Sequence, residues 1–281
     1  MRTRRSARRL AVGAGKTVAV AALLIWSLFP IAFIAMSSLK PGQEIFAVPP
    51  HYIFTPTFEH YVALWTRWSA FFDGLANSTI ITAGATALAV ITSTCAGYVY
   101  SRNSSRFLDA SVLFLIVVRL IPPIVVTLPL FPLINMLNLN DTHVVLMVLY
   151  ATFFVSLGTI LMRTFIDQIP RELDEAAEID GASRLTTLRK VVVPLAAPGI
   201  LAVAIFVVVF AWNEFLFAFI FTATRAKTAP LVISEMIGSI DGVDWGILFA
   251  ASSVQLAPIL IFVSLMNRYL VAGLTAGATK G

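Results

Sequence analysis

The residues able to do covalent chemistry are few and poorly placed for it. His51, His60 and His143 have no serine, cysteine or carboxylate at the spacing of a nucleophile and its base. Cys95 is the sole cysteine and lies inside an apolar run, so it cannot pair within the chain. No group of His, Cys and carboxylates has metal-ligand spacing, and the chain is expected to carry no metal and no cofactor of its own. "GAGKT" at Gly13–Thr17 ends like a phosphate-binding loop. The first glycine of that pattern is Leu10 here, no strand precedes it, and an apolar run follows. "NST" at Asn77 and "NSS" at Asn103 match the glycosylation acceptor, but the first abuts an apolar run and the second falls on the arginine-rich side read below as cytoplasmic, so neither is taken as a modification site.

Two other sets of polar residues remain. One is a charged stretch, "RELDEAAEIDGASRLTTLRKVVVPLAAPG", from Arg171 to Gly199. The other is scattered within apolar runs: Arg119, Trp212, Asn213, Glu214 and Gln255. A charge at mid-membrane costs about 2.5–3.5 kcal/mol on insertion scales, so Arg119 and Glu214 should face a wet cavity, a partner or each other. Donors and acceptors beside an aromatic face such as Trp212 suit a solute rich in hydroxyls. These five are candidates for lining such a cavity, with the alternative that they hold helices together or face a partner.

The elements that must position them follow from composition. Hydrophobic residues make up 58% of the chain and charged ones 12%, with a mean hydropathy of +0.88. A soluble domain is nearer a quarter charged, so the chain is read as an all-α polytopic membrane protein. A β-barrel would need alternating segments of about ten residues, whereas these apolar runs are continuous and about twice as long. Six windows are long enough to span: Val18–Leu39, Leu75–Tyr100, Leu108–Ile134, Val144–Ile166, Leu195–Phe221 and Gly246–Met266. Pro122, Pro123, Pro129 and Pro132 are expected to kink or break the third.

The net charge of +5 is accounted for by topology and not by nucleic acid. Arg2, Arg4, Arg5, Arg8, Arg9 and Lys16, then Arg102 and Arg106, then Arg171, Arg184, Arg189 and Lys190, then Arg268 and Lys280 fall on one side of six spans. By the positive-inside rule that side is cytoplasmic, as are both termini. The first span is too long for a signal peptide and reads as an uncleaved anchor. The stretch after it, with Phe58, Tyr61, Trp65 and Trp68, is expected to form an external helix lying on the membrane surface.

In the charged stretch, Pro170 suits a helix start, and Glu172, Asp174 and Glu175 place negative charge at the positive end of the helix dipole. Leu173, Ala176 and Ala177 share a small apolar face. Gly181 is expected to set a bend, Ser183 to cap a second helix with Leu185, Leu188 and Val192 on its apolar face, and Pro194 to mark the return to the membrane. On these grounds alone a partner-docking helix pair and a solvated loop are equally good readings.

"EAAEIDGASRLTTLRKVVVP" resembles the EAA motif of binding-protein-dependent ABC importer permeases, through Glu175, Ala176, Ala177, Asp180, Gly181 and Pro194. "AWNEFLFAF" at Ala211–Phe219 and the ending "YLVAGLTAGATKG" are similar to the maltose-transporter type, in particular its second permease. The resemblance implies the six-helix type I importer permease fold, with a coupling helix at about 171–190 that docks on the ATPase. It implies import of a sugar or sugar-like solute by alternating access. The implied partners are a second permease, two ATP-binding subunits holding ATP and Mg, an extracytoplasmic solute-binding protein and membrane lipid. It also implies a C-terminal tail, with Thr275, Gly277 and Lys280, that reaches the ATPase. The domains expected are a basic tail (1–17), first helix and external loop (18–71), transmembrane domain (72–267) and C-terminal tail (268–281). A secondary transporter, which would need paired repeats and a midplane ion site, and a purely structural membrane subunit are the rival readings.

Overall fold

Within a bilayer each backbone N–H must find its partner inside the chain, so continuous apolar runs resolve into helices. The computed structural model describes the backbone of residues 2–240 and 242–278, and the side chains of 13–240 and 242–266. No strand occurs among the described residues. The helices are α1 (Arg2–Ser37), α2 (Glu59–Arg67), α3 (Ala70–Arg102), α4 (Arg106–Arg119), α5 (Pro123–Met136), α6 (His143–Ile166) and α7 (Glu172–Ile179). They continue with α8 (Arg184–Thr187), α9 (Val193–Leu195), α10 (Ala197–Trp212), α11 (Leu216–Phe221), α12 (Ala229–Ile237) and α13 (Trp245–Ala278).

Four of the expected spans are single helices: Gly13–Ser37, Ala70–Arg102, His143–Ile166 and Trp245–Met266. The other two are broken. Arg106–Arg119 and Pro123–Met136 meet at 95°, because proline after proline removes the N–H groups that would continue the helix. Arg184–Leu195 and Ala197–Trp212 meet at 79°, around Ala196 between Pro194 and Pro198. The fifth span breaks again at Asn213–Phe215, where sequence pattern alone implied one helix from Leu195 to Phe221. The polar pair causes that break. Asn213 Nδ2 donates to the Val209 carbonyl at 2.7 Å, while the Glu214 carboxylate accepts from the backbone N–H of Phe217 at 2.9 Å and Ala218 at 3.4 Å, starting α11.

The chain forms two compact units, 1–69 with 236–256, and 70–235 with 257–281. In the second, α3, α6 and α10 form the packed centre. Lipid is as apolar as leucine, so close approach of small residues is what holds such helices together. Gly97 is one such point, since a Cβ there would lie 2.7 Å from Met162 Cβ and 2.9 Å from the Arg163 nitrogen. Two buried clusters result. One joins Ile81, Ala85, Leu146, Tyr150, Phe217 and Phe221, and the other joins Ala89, Phe154, Met162, Val192, Val203 and Val207.

In the first unit the segment after α1 contains α2, with Phe58 and Trp65 exposed, and is fastened to the end of α1. His60 Nε2 lies 2.7 Å from the Lys40 carbonyl, and Tyr61 Oη lies 2.8 Å from Ser38 Oγ. Lys40 is buried with its ammonium 5.4 Å from the Phe54 ring centroid. Phe46 meets Trp245 edge to face at 5.3 Å. Phe46 and Trp245 border a cavity of about 700 Å³ lined also by Arg67, Trp68, Ser239 and Asp244, among others.

Candidate functional site

The charged stretch is a helix, a turn and a second helix. α7 ends at Ile179, and Gly181 takes φ +82°, a left-handed conformation that a side chain disfavours by about 1–2 kcal/mol. Ser183 Oγ accepts the Thr186 N–H at 3.3 Å and starts α8. Leu188 to Val192 form a π-helical turn before the chain bends into α10. Leu188 and Val192 are buried, but Leu185 is not. On α7 the exposure runs against a simple apolar-in pattern. Leu173, Glu175, Ala176, Ile179 and Asp180 are exposed, Ala177 is half-buried, and Asp174 is the buried residue.

Asp174 is buried because it is saturated. Arg102, the last residue of α3, grips it with both prongs, Nε to Oδ2 at 2.8 Å and Nη2 to Oδ1 at 3.2 Å. The two side chains are only 11% and 12% exposed. Tyr98 Oη donates to Asp174 Oδ2 at 3.0 Å. The same guanidinium donates to the Ile166 and Ile169 carbonyls at 3.4 and 3.2 Å, closing the C-terminal end of α6. Arg171 Nη2 donates to the Ser101 carbonyl at 2.8 Å. A cleft of about 440 Å³ runs behind this junction, lined by Cys95, Tyr98, Arg102, Asp174, Glu178 and Arg184 among others.

Nearer the middle of α6, two further cavities flank Phe153. The first, about 380 Å³, is lined by Thr92, Phe114, Arg119, Ser156 and others. Arg119 Nη1 donates to the Phe153 carbonyl at 3.4 Å, and its guanidinium carbon lies 5.3 Å from the Phe153 ring centroid. The second, about 350 Å³, is lined by Tyr150, Phe210, Asn213, Glu214 and others. Pro123, Phe153 and Phe217 line both. The structure thus gathers Arg119, Asn213 and Glu214 around one aromatic partition. No Arg119–Glu214 ion pair forms among the described residues: Glu214 spends its oxygens on the start of α11. Trp212 is buried at the end of α10, and Gln255 lies on α13 in the other unit.

At the far end of α3, Asp141 accepts from the backbone N–H groups of Ala223, Thr224, Arg225 and Ala226, at 3.0–3.2 Å, and from the Thr224 hydroxyl at 2.8 Å. Burial opposes its charge, but the Arg225, Ala226 and Ala223 amides with the Thr224 hydroxyl hold the carboxyl far below the usual carboxylate range. Asn77 Nδ2 donates to the Arg225 and Lys227 carbonyls, each at 2.9 Å, and its Oδ1 lies 2.7 Å from His143 Nε2. The apparent glycosylation acceptor is therefore a loop anchor.

Residues 89–276 match the family described as binding-protein-dependent transport system inner membrane component. The chain belongs to this family. The trehalose transport system permease protein SugB of Mycobacterium tuberculosis is 36% identical over 264 residues, covering 91% of this chain and 93% of the relative. The trehalose/maltose transport system permease protein MalG of Thermococcus litoralis is 34% identical over 261 residues, covering 92% and 94%. In fold, a chain from the crystal structure of a bacterial ABC transporter involved in import of the acidic polysaccharide alginate superposes with a TM-score of 0.77 at 20% identity, covering 92% and 95%.

Within this permease, Glu175, Ala176, Asp180 and Gly181 are exposed around the turn, and Pro194 is exposed just before the bend into α10. Sequence reading missed the grip behind them. Arg102 looked like a topology charge, and its partner is 72 residues away, which no spacing rule detects. The one local sign was an acidic residue three positions before Ala177 on the face that packs inward. Thr275, Gly277 and Lys280 lie outside the residues whose side chains are described.

Proposed function

We propose that this chain is a non-catalytic permease subunit of an ATP-driven importer for a sugar or sugar-like solute, of the maltose-type second-permease kind. It uses α7 and the Gly181 turn as its coupling helix on an ATPase subunit. The carrying observation is the exposed face of α7, with Ala176 between Leu173 and Ile179, on a junction that grips Asp174 from α3. Exposed apolar side chains on a charged helix gain by burial against another protein, and a saturated junction gives a push something stiff to act on. The ATPases hold ATP and Mg, and this chain contributes no covalent step and no cofactor. A second related permease completes the path, and a solute-binding protein delivers cargo from outside. Both termini and the α7 turn are cytoplasmic in this reading, and the Asp141-anchored loop is external. The cavities around Phe153 belong to the path, with Arg119, Asn213 and Glu214 as its polar lining. Thr275, Gly277 and Lys280 belong to a tail that meets the ATPase. The relatives carry trehalose or maltose by name, which supports a sugar or related solute as cargo.

The test is uptake by the assembled transporter in proteoliposomes with ATP inside and loaded binding protein outside. A panel of labelled disaccharides, polyols and acidic sugars should contain one that accumulates only with both. Gly181→Trp should abolish uptake and weaken ATPase retention. Uptake driven by an ion gradient without ATPase, or wild-type uptake and a stable complex in Gly181→Trp, would sink the assignment.

A further inference from the structure

Three helix ends converge on Arg102. It terminates α3, donates to the carbonyls of Ile166, the last residue of α6, and of Ile169 in the turn after it, and holds Asp174 in the first turn of α7 by a two-pronged ion pair. Tyr98, one turn back on α3, holds the same carboxylate, and Arg171 ties the start of α7 to the Ser101 carbonyl. The covalent route from the coupling helix to the membrane is different. It passes through the Gly181 turn, the π-helical turn at Leu188–Val192 and the 79° bend into α10. That path contains three irregular joints, each able to absorb displacement. The Arg102 junction contains none: a two-pronged ion pair at 2.8 and 3.2 Å is backed by hydrogen bonds from the same guanidinium to two carbonyls.

We propose that Arg102 is a positioning residue that makes α7 and the adjoining ends of α3 and α6 one rigid block, so that the ATPase stroke reaches the membrane chiefly through α3 and α6 and not along the chain into α10. This rests on the coupling-helix reading above. A guanidinium suits the task where an ammonium does not. Its planar fork fixes orientation as well as distance, and its other N–H groups reach the Ile166 and Ile169 carbonyls at the same time. The block then moves as α3 and α6 move, and these two helices carry Thr92, Phe153 and Ser156 at the cavities beside Arg119.

The experiment uses the whole transporter in nanodiscs, with Cys95 replaced by serine and spin labels at Ile91→Cys on α3 and Glu178→Cys on α7. In the parent the distance between labels should be narrow and unchanged between nucleotide-free and ATP-bound states. In Arg102→Gln it should broaden and shift on ATP binding, and solute moved per ATP should fall at least tenfold while ATP hydrolysis stays within about twofold. Arg102→Lys should behave like Arg102→Gln, since a charge without the fork does not fix the block. If the single variants do not assemble, Arg102→Gln with Asp174→Asn leaves no lone buried charge and is read in their place. Tyr98→Phe keeps the ion pair and should give an intermediate broadening. A narrow distance with parental transport per ATP in the assembled variants overturns the proposal. Failure of the parent chain to retain the ATPase overturns the coupling-helix reading instead, which separates the two.

Discussion

Asp141 shows how much one side chain can organise. Its carboxylate collects a run of successive N–H groups from Ala223 to Ala226, a concave backbone nest that favours negative charge. Because its folded pKa lies below the unfolded value of about 3.9, the stabilisation is complete above that value and declines as pH falls beneath it. Asp141→Ala should therefore expose the 222–228 loop to protease and lower thermal stability in detergent. The unmet amides cost about 1–3 kcal/mol each where they stay buried. Asp141→Asn should flatten the acid limb of the melting profile, and an unchanged limb would contradict the clamp. Gly181 is a second such position. At φ +82° Gly181→Ala should cost about 1–2 kcal/mol locally and reduce uptake more than expression, read by transport normalised to protein amount. Both residues were visible in the linear sequence, but only Gly181 announced its role, through motif spacing. Asp141 meets partners more than 80 residues away, and local pattern holds no trace of that.

Among the helices, the broken ones matter most. α4 and α5 meet at 95° where prolines remove backbone donors, and the turn sets Arg119 against Phe153. α10 and α11 part where Glu214 takes the N–H groups of Phe217 and Ala218. Glu214→Ala should loosen the start of α11 and depress transport with the ATPase still bound, which hydrogen exchange over Leu216–Phe221 would register. The unbroken pair α3 and α6 behaves differently. Gly97→Leu drives a side chain into Met162 Cβ and the Arg163 backbone, and that backbone cannot yield. Loss of folded protein on size exclusion is the expected result, whereas Gly13→Leu, with open space around it, should be silent in the same assay. Prolines and spans were readable because they act on their own helix. The break at Asn213–Phe215 was not, since it depends on where the Glu214 carboxylate points.

The permease as a unit leaves much apolar surface uncovered. Ile80, Ile91, Leu113 and Phe206 are exposed along the spans, and Leu173, Ile179 and Leu185 around the Gly181 turn. Lipid suits the first group, but the second sits beside Glu175, Glu178 and Arg184, where lipid does not reach in the proposed topology. The chain expressed without its ATPase should therefore be short-lived and prone to self-association, and co-expression with the cognate ATPase should prolong its half-life in pulse-chase. Replacing Ile179 and Leu185 by serine should remove that protection if the turn is the contact. Arg119→Gln should lower uptake without changing assembly, because among the described residues its contacts are a carbonyl and a ring and no carboxylate.

Composition, the length of apolar runs and the distribution of arginine determined by themselves that this chain is a multi-helix membrane protein. The spacing of Glu175, Ala176, Ala177, Gly181 and Pro194 marked its family. Those properties are local or additive, and hydropathy and motif spacing read them directly. Only tertiary structure decided that Arg102 closes on Asp174, that Asn77 anchors a loop, and that Arg119 and Glu214 flank Phe153 without pairing. Each of these is a choice among several polar partners, made by which helix ends and loops the packing of the helices brings within hydrogen-bond reach.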